Sequence, residues 1–243
     1  MIPVRHGFTS LSIVAIGFFY IASAFAAEGH FVTQEQVDLV RLLAPPPARG
    51  SKEAKADMEA VLRAQAQRTP RRVKEAKADR KDNVLRFADV FGSKFTADAL
   101  PLTTAFFAKV VEDRGLIVDA AKAFWHNPRP SAVNPAVKPI FPPPEADSYP
   151  SGHATFAYLA AIILADMVPE KAPQLFARAA EFAHNRVVAG MHYPSDIEAG
   201  RISATVIAAV MMLNPVFRQD FAAVKAEVRH VLGYSPEGAV VTK

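Results

Sequence analysis

The chain has 243 residues, 51% of them hydrophobic and 21% charged, which is enough for one domain with a real core and too apolar for a disordered chain. Its formal net charge of +4 suits anionic ligands but, with no recognition motif beside it, makes no case for nucleic acid. With no cysteine, disulfides, thiolate metal sites, a cysteine nucleophile and a lipoprotein anchor are excluded.

In chain order, Arg5 and His6 precede an apolar run from Leu11 to Phe25 that closes on Ala24-Phe25-Ala26. A basic start, a short apolar stretch and an A-x-A site form a secretory signal peptide. The run is shorter than the roughly 20 residues a membrane span needs. The expected division is therefore a signal peptide over 1–26 and a mature domain over 27–243, periplasmic or secreted, without stable membrane insertion after cleavage.

The mature part reads helical nearly throughout, and the expected fold class is all-α, a single-domain bundle. Thr33 and Gln36 suggest a capping box for a helix over Gln34 to Leu43, stopped by Pro45-Pro46-Pro47. Ser51 caps a helix towards Gln67, and Thr69-Pro70 opens another that is expected to reach Phe91. Between Arg41 and Arg86 the basic residues are mixed with Glu53, Asp57, Glu59, Glu75, Asp79 and Asp82, which reads as a solvated helix face. Leu100 to Val111 and Asp119 to Trp125 are two further helical stretches. Asn127 to Pro150 is so rich in proline that helix is not expected there; it reads as a long ordered loop over the active-site end of the bundle. Four helices follow, over Gly152 to Met167, Glu170 to Ala189, Ser195 to Leu213 and Val216 to Leu232.

Three segments carry chemistry. The first runs from Lys122 to Arg129-Pro130, the second is Tyr149-Pro150-Ser151-Gly152-His153, and the third joins Asn185-Arg186, His192 and Asp196. Two arginines offer planar forks for phosphate oxygens, and a lysine adds a point charge. Ser151 and Gly152 stand at a helix start, where free N–H groups and the helix dipole attract anions. Asp196 can accept from one ring nitrogen of His192 and leave the other as a nucleophile. His153 is placed to protonate a leaving alcohol and later to activate water. The scheme needs no metal and no cofactor, and no carboxylate cluster or helical zinc spacing suggests one.

Together the segments resemble the signature K-x6-R-P, P-S-G-H, S-R-x5-H-x3-D of the type 2 phosphatidic acid phosphatase superfamily, and within it the bacterial class A non-specific acid phosphatases. The likeness extends over nearly all of the mature chain, including Leu43-Ala44-Pro45-Pro46-Pro47 and Ser148-Tyr149. It implies that Lys122, Arg129, Ser151, Gly152 and Arg186 bind phosphate. It also implies that His192 is the nucleophile, Asp196 its orienting partner and His153 the general acid. Asn185 departs from the pattern, standing where the signature has Ser, and is expected to tune rate and substrate preference rather than reaction type. The expected activity is metal-independent hydrolysis of small phosphomonoesters through phosphohistidine, releasing inorganic phosphate, with phosphotransfer to an alcohol as a variant. The resemblance also suggests a homo-oligomer. Competing readings are a vanadium-dependent haloperoxidase, which shares the constellation, a lipid phosphatase, and a non-catalytic phosphate-binding protein. Leaving-group recognition is expected from the loop between Asn127 and Pro150, with His126 a candidate contact and His184 structural.

Overall fold

Helix starts follow caps written in the sequence. Ser51, Thr69, Ser151 and Asn214 each turn a side-chain oxygen onto the first free N–H groups of a helix. The computed structural model describes residues 29–235, so the signal-peptide expectation over 1–26 lies outside the described residues. Within them all regular structure is helical: α1 (Leu39–Leu42), α2 (Lys52–Ala66), α3 (Pro70–Ala78), α4 (Ala88–Phe91), α5 (Pro101–Trp125), α6 (Pro130–Val133), α7 (Gly152–Met167), α8 (Ala172–Val188), α9 (Pro194–Met211) and α10 (Pro215–Leu232).

Several boundaries differ from the expected ones. Thr33 and Gln36 do exchange side-chain bonds with each other's N–H, but they close a turn, and α1 begins only after Asp38 caps it. The helix from Pro70 stops at Ala78. The chain turns through Asp79 to Asn83 and resumes as a 3-10 turn over Val84–Phe87. The two stretches before Trp125 form one helix of 25 residues, about 37 Å long at 1.5 Å per residue. The proline-rich loop does hold a short helix, α6, because Pro130 occupies its first turn, where a missing N–H costs nothing.

The core centres on α7. Its buried residues include Phe156, Leu159, Ala160, Ile163 and Leu164, on more than one face, so the helix is enclosed rather than amphipathic. It lies between α8 and α9, with α5 and α10 packed beside it. Burying each large side chain of this kind contributes about 1.5–3 kcal/mol. Buried Asp113 on α5 ties down the start of the described chain by accepting the N–H groups of His30, Phe31 and Val32. A smaller apolar cluster of Val61, Ala76, Val137, Val187 and Tyr193 packs α2 and α3 over the α8–α9 turn. The Tyr149 hydroxyl donates to Ala44 O at 2.5 Å and so links the Leu43–Pro47 stretch to the P-S-G-H segment. Among the described residues no single helix is long and apolar enough to cross a membrane.

Candidate active site

The turn after α8 decides where His192 lies. Gly190 takes φ +73, Met191 N–H donates to Arg186 O at 3.0 Å, and Gly190 N–H donates to Val187 O at 2.9 Å. These are the two bonds of a Schellman motif, which suits glycine at the left-handed position. The chain thereby reverses between Arg186 and His192, and the arginine charge reaches the imidazole.

Asp196 is the third residue of α9. Its Oδ2 accepts the Tyr193 N–H at 2.9 Å and lies 3.2 Å from His192 Nδ1. On the other edge of the ring, Arg129 donates to Nε2 at 3.3 Å. A guanidinium has only donors, so Nε2 presents its lone pair and the ring proton sits on Nδ1, facing Asp196. Burial, helped by Arg129, Lys122 and Arg186, holds His192 well below the ordinary histidine range. Burial pushes Asp196 upward, against the pull of the Tyr193 N–H and Lys122. His192 is thus a neutral imidazole with its free lone pair among cations.

Two of those cations, Lys122 and Arg129, are held by neutral acceptors. Lys122 donates to Asp147 O at 2.5 Å, while Arg129 donates to Ala146 O and Met191 O, both at 2.9 Å. Carbonyls orient the side chains without cancelling their charge. Burial, and then Arg129, lowers Lys122 to about 8. Arg186 is only 3% exposed, and its Nε and NH1 have no hydrogen-bond partner. Burial lowers it to about 10, and its guanidinium lies 5.2 Å from the ring centre of Phe141, a residue of the proline-rich loop. Unsatisfied buried donors are costly, and an anion is the group that satisfies them.

At the start of α7 the donors differ from expectation. The Ser151 N–H already bonds Asp196 O at 3.0 Å, and its Oγ accepts from Ala154 N–H. What Ser151 has left for an anion is its hydroxyl proton, beside the Gly152 N–H of the helix's first turn. A Cβ on Gly152 would sit 2.7 Å from Arg114 NH1, so the space that glycine leaves is filled by an arginine from α5. His153 Nε2 is 2.8 Å from Arg80 O and 3.6 Å from Asp82 Oδ1. Burial lowers it to about 4, with Asp82 pulling upward. Arg114, Asp82, Arg80 and Phe141 escaped the sequence reading because none lies in the three motifs.

The solvated-face reading of Arg41 to Arg86 fails at two carboxylates. Asp79 is fully buried and receives Arg178, Arg86 and the Asn185 amide, the last at 2.8 Å. Asp82 is paired with Arg114. The reason is the break after Ala78, which turns this stretch inward onto α8 and α5 instead of along a helix surface. Asn185 therefore ties α8 to Asp79. His126 keeps its exposed ring 3.2 Å from Asp147 Oδ2. Among the described residues no three His, Cys, Asp or Glu side chains are grouped to hold a metal ion.

Residues 101–220 match the PAP2 superfamily. A non-specific acid phosphatase of Salmonella typhi is 30% identical over 206 residues, covering 80% of this chain and 82% of that protein. The structure is also similar to a transmembrane PAP2 type phosphatidylglycerolphosphate phosphatase from Bacillus subtilis, with TM-score 0.51, 16% identity and 72% and 89% coverage of the two chains. It is similar to a bacterial vanadium-dependent iodoperoxidase with TM-score 0.54 and 17% identity, over 70% of this chain and 52% of that one. At such identities the two solved structures speak for the fold alone.

Proposed function

The chain belongs to the PAP2 superfamily, as a phosphomonoester hydrolase related to non-specific acid phosphatases, and from that premise we propose that it works outside the cytoplasm, without metal, through a phosphohistidine at His192. The Nε2 lone pair attacks phosphorus in line with the leaving oxygen. Lys122, Arg129 and Arg186, with the Ser151 hydroxyl and the Gly152 N–H, take up the charge on the equatorial oxygens. His153 gives a proton to the leaving alcohol, and Asp196 holds the His192 ring as it becomes charged. Water then attacks phospho-His192, with His153 accepting its proton. Three fixed cations supply the charge that a metal provides in other phosphatases.

The observation that carries this reading is the buried, partnerless Arg186 guanidinium beside a histidine whose lone pair already faces a second arginine. Export rests on Arg5, the apolar run and Ala24-Phe25-Ala26. A low-lying His153 fits activity on the acid side, since the general acid must be protonated.

The test is hydrolysis of 4-nitrophenyl phosphate across pH with EDTA present, in the parent and in His192→Ala. We expect EDTA-resistant turnover in the parent and a kcat at least about 10³-fold lower in the variant. Alkaline quenching during turnover should trap phosphate on His192. Activity that vanishes with EDTA, or survives His192→Ala, would overturn the mechanism.

A further inference from the structure

Asp82 lies outside residues 101–220, which match the PAP2 superfamily, and outside all three motifs. Yet it is one of two carboxylates paired with the histidines of the site. Its Oδ2 is bonded by Arg114 NH2. Its Oδ1 is buried, has no hydrogen-bond partner and lies 3.6 Å from His153 Nε2. Arg114 is braced in turn: NH1 occupies the space above Gly152, the residue preceding His153. The Arg80 carbonyl, two residues before Asp82, lies 2.8 Å from the same Nε2. A carbonyl can only accept, so this edge of the ring carries a proton.

Resting on the phosphatase reading above, we propose that the Arg114–Asp82 pair positions His153, holding its Nε2–H edge so that the proton given to the leaving oxygen comes from Nδ1. In protonated His153 both ring nitrogens carry hydrogen. Nε2–H donates to Arg80 O, Asp82 Oδ1 faces the same edge as a charge 3.6 Å away, and Nδ1–H points away from both. As the phosphorus–oxygen bond breaks, the Nδ1 proton passes to the departing oxygen. The products are an alcohol and a neutral His153 that keeps its Nε2–H. In the second half Nδ1 takes a proton from the attacking water, which restores the starting ring. Asp82 never touches the substrate and exchanges no proton; it stabilises the charged ring and fixes which edge is free.

The charges facing His153 come from every side. Asp82 lies in the turn after α3, Arg114 on α5, Arg186 on α8 and His192 before α9. Only Asp82 among these favours the protonated ring. Removing its charge should move the alkaline limb of kcat/KM to lower pH.

The experiment compares kcat/KM for 4-nitrophenyl phosphate and for glycerol phosphate in the full chain, in Asp82→Ala, Asp82→Asn and Arg114→Gln. A nitrophenolate departs with little help, whereas an alkoxide needs its proton. We expect Asp82→Ala to lose at least about tenfold more on glycerol phosphate than on the aryl ester, and its alkaline limb to shift acidward. Asp82→Asn keeps the shape, guards against a folding failure, and should show the same limb shift with a smaller loss. Arg114→Gln keeps the Asp82 charge and removes a cation that disfavours the protonated ring, so it should again lose more on glycerol phosphate than on the aryl ester, but without the acidward shift of the limb. Equal losses on both substrates, or an unmoved limb in the folded Asp82→Asn, would overturn the positioning role. The phosphatase reading stands or falls separately, on the parent's aryl phosphatase activity and its loss in His192→Ala.

Discussion

Two histidine–aspartate pairs face the same site, and they are built differently. His192 and Asp196 are four residues apart, both are buried, and one carboxylate oxygen serves the imidazole and the helix start together. His153 and Asp82 are 71 positions apart in the chain. They are partly exposed, at 26% and 13% of their side chains, and their contact of 3.6 Å depends on a third residue, Arg114. The first pair is made by local backbone geometry and the second by the packing of a turn against two helices. The difference suits the roles proposed for the two histidines. A nucleophile needs one fixed tautomer, while a group that gives and takes protons needs a carboxylate near enough to stabilise the charged ring and loose enough to let it discharge.

The largest expected effect separates the pairs directly. Asp196→Asn leaves a side chain of the same shape but replaces the acceptor that fixes the Nδ1 proton, so kcat should fall by roughly 10³–10⁴ for every substrate. Asp82→Asn should cost far less, and mainly on poor leaving groups. Steady-state kinetics on both variants would collapse the distinction if the two losses matched in size and in leaving-group dependence.

Arg186 lies between the pairs and sharpens the contrast from the stability side. Its guanidinium is buried without partners, so Arg186→Met should lower kcat/KM by about 10²–10³. The same variant should raise the stability of the unliganded protein by about 1 kcal/mol, because an apolar side chain removes a buried charge whose Nε and NH1 lack hydrogen-bond partners. Phosphate should raise the melting temperature of the parent and not that of Arg186→Met. A variant that is both inactive and less stable would mean that the arginine has a partner in the resting enzyme.

A smaller effect concerns pH. In the first pair burial lowers His192 and raises Asp196, and the two shifts oppose one another in stability. His153 has a folded pKa of about 4 against an ordinary 6.5, so the folded state binds its proton less readily than the unfolded chain. Its contribution is whole above pH 6.5 and is lost as pH falls towards 4, amounting to at most about 3 kcal/mol. Urea unfolding at pH 7 and pH 4.5 should show the loss in the parent and a flatter profile in His153→Gln. Saturating phosphate should also flatten it, by favouring the charged ring. Equal slopes in parent and variant would place the proton uptake elsewhere.

Much of the site was legible in the sequence because it is carried by local patterns. Ser151 and Thr69 announced helix starts through side-chain caps. The spacing from His192 to Asp196 places a carboxylate in the first turn of α9. These depend on a few consecutive dihedrals, which neighbouring residues dictate. Only the tertiary structure decided that Asp79 and Asp82 turn inward, that the Ser151 N–H is taken by the Asp196 carbonyl, and that Arg114 fills the space beside Gly152. Burial and long-range pairing arise where elements far apart in the chain pack and exclude water. Charges that alternate along a helix read the same in sequence whether the helix continues into solvent or stops, as it does after Ala78, and folds its acids against the core.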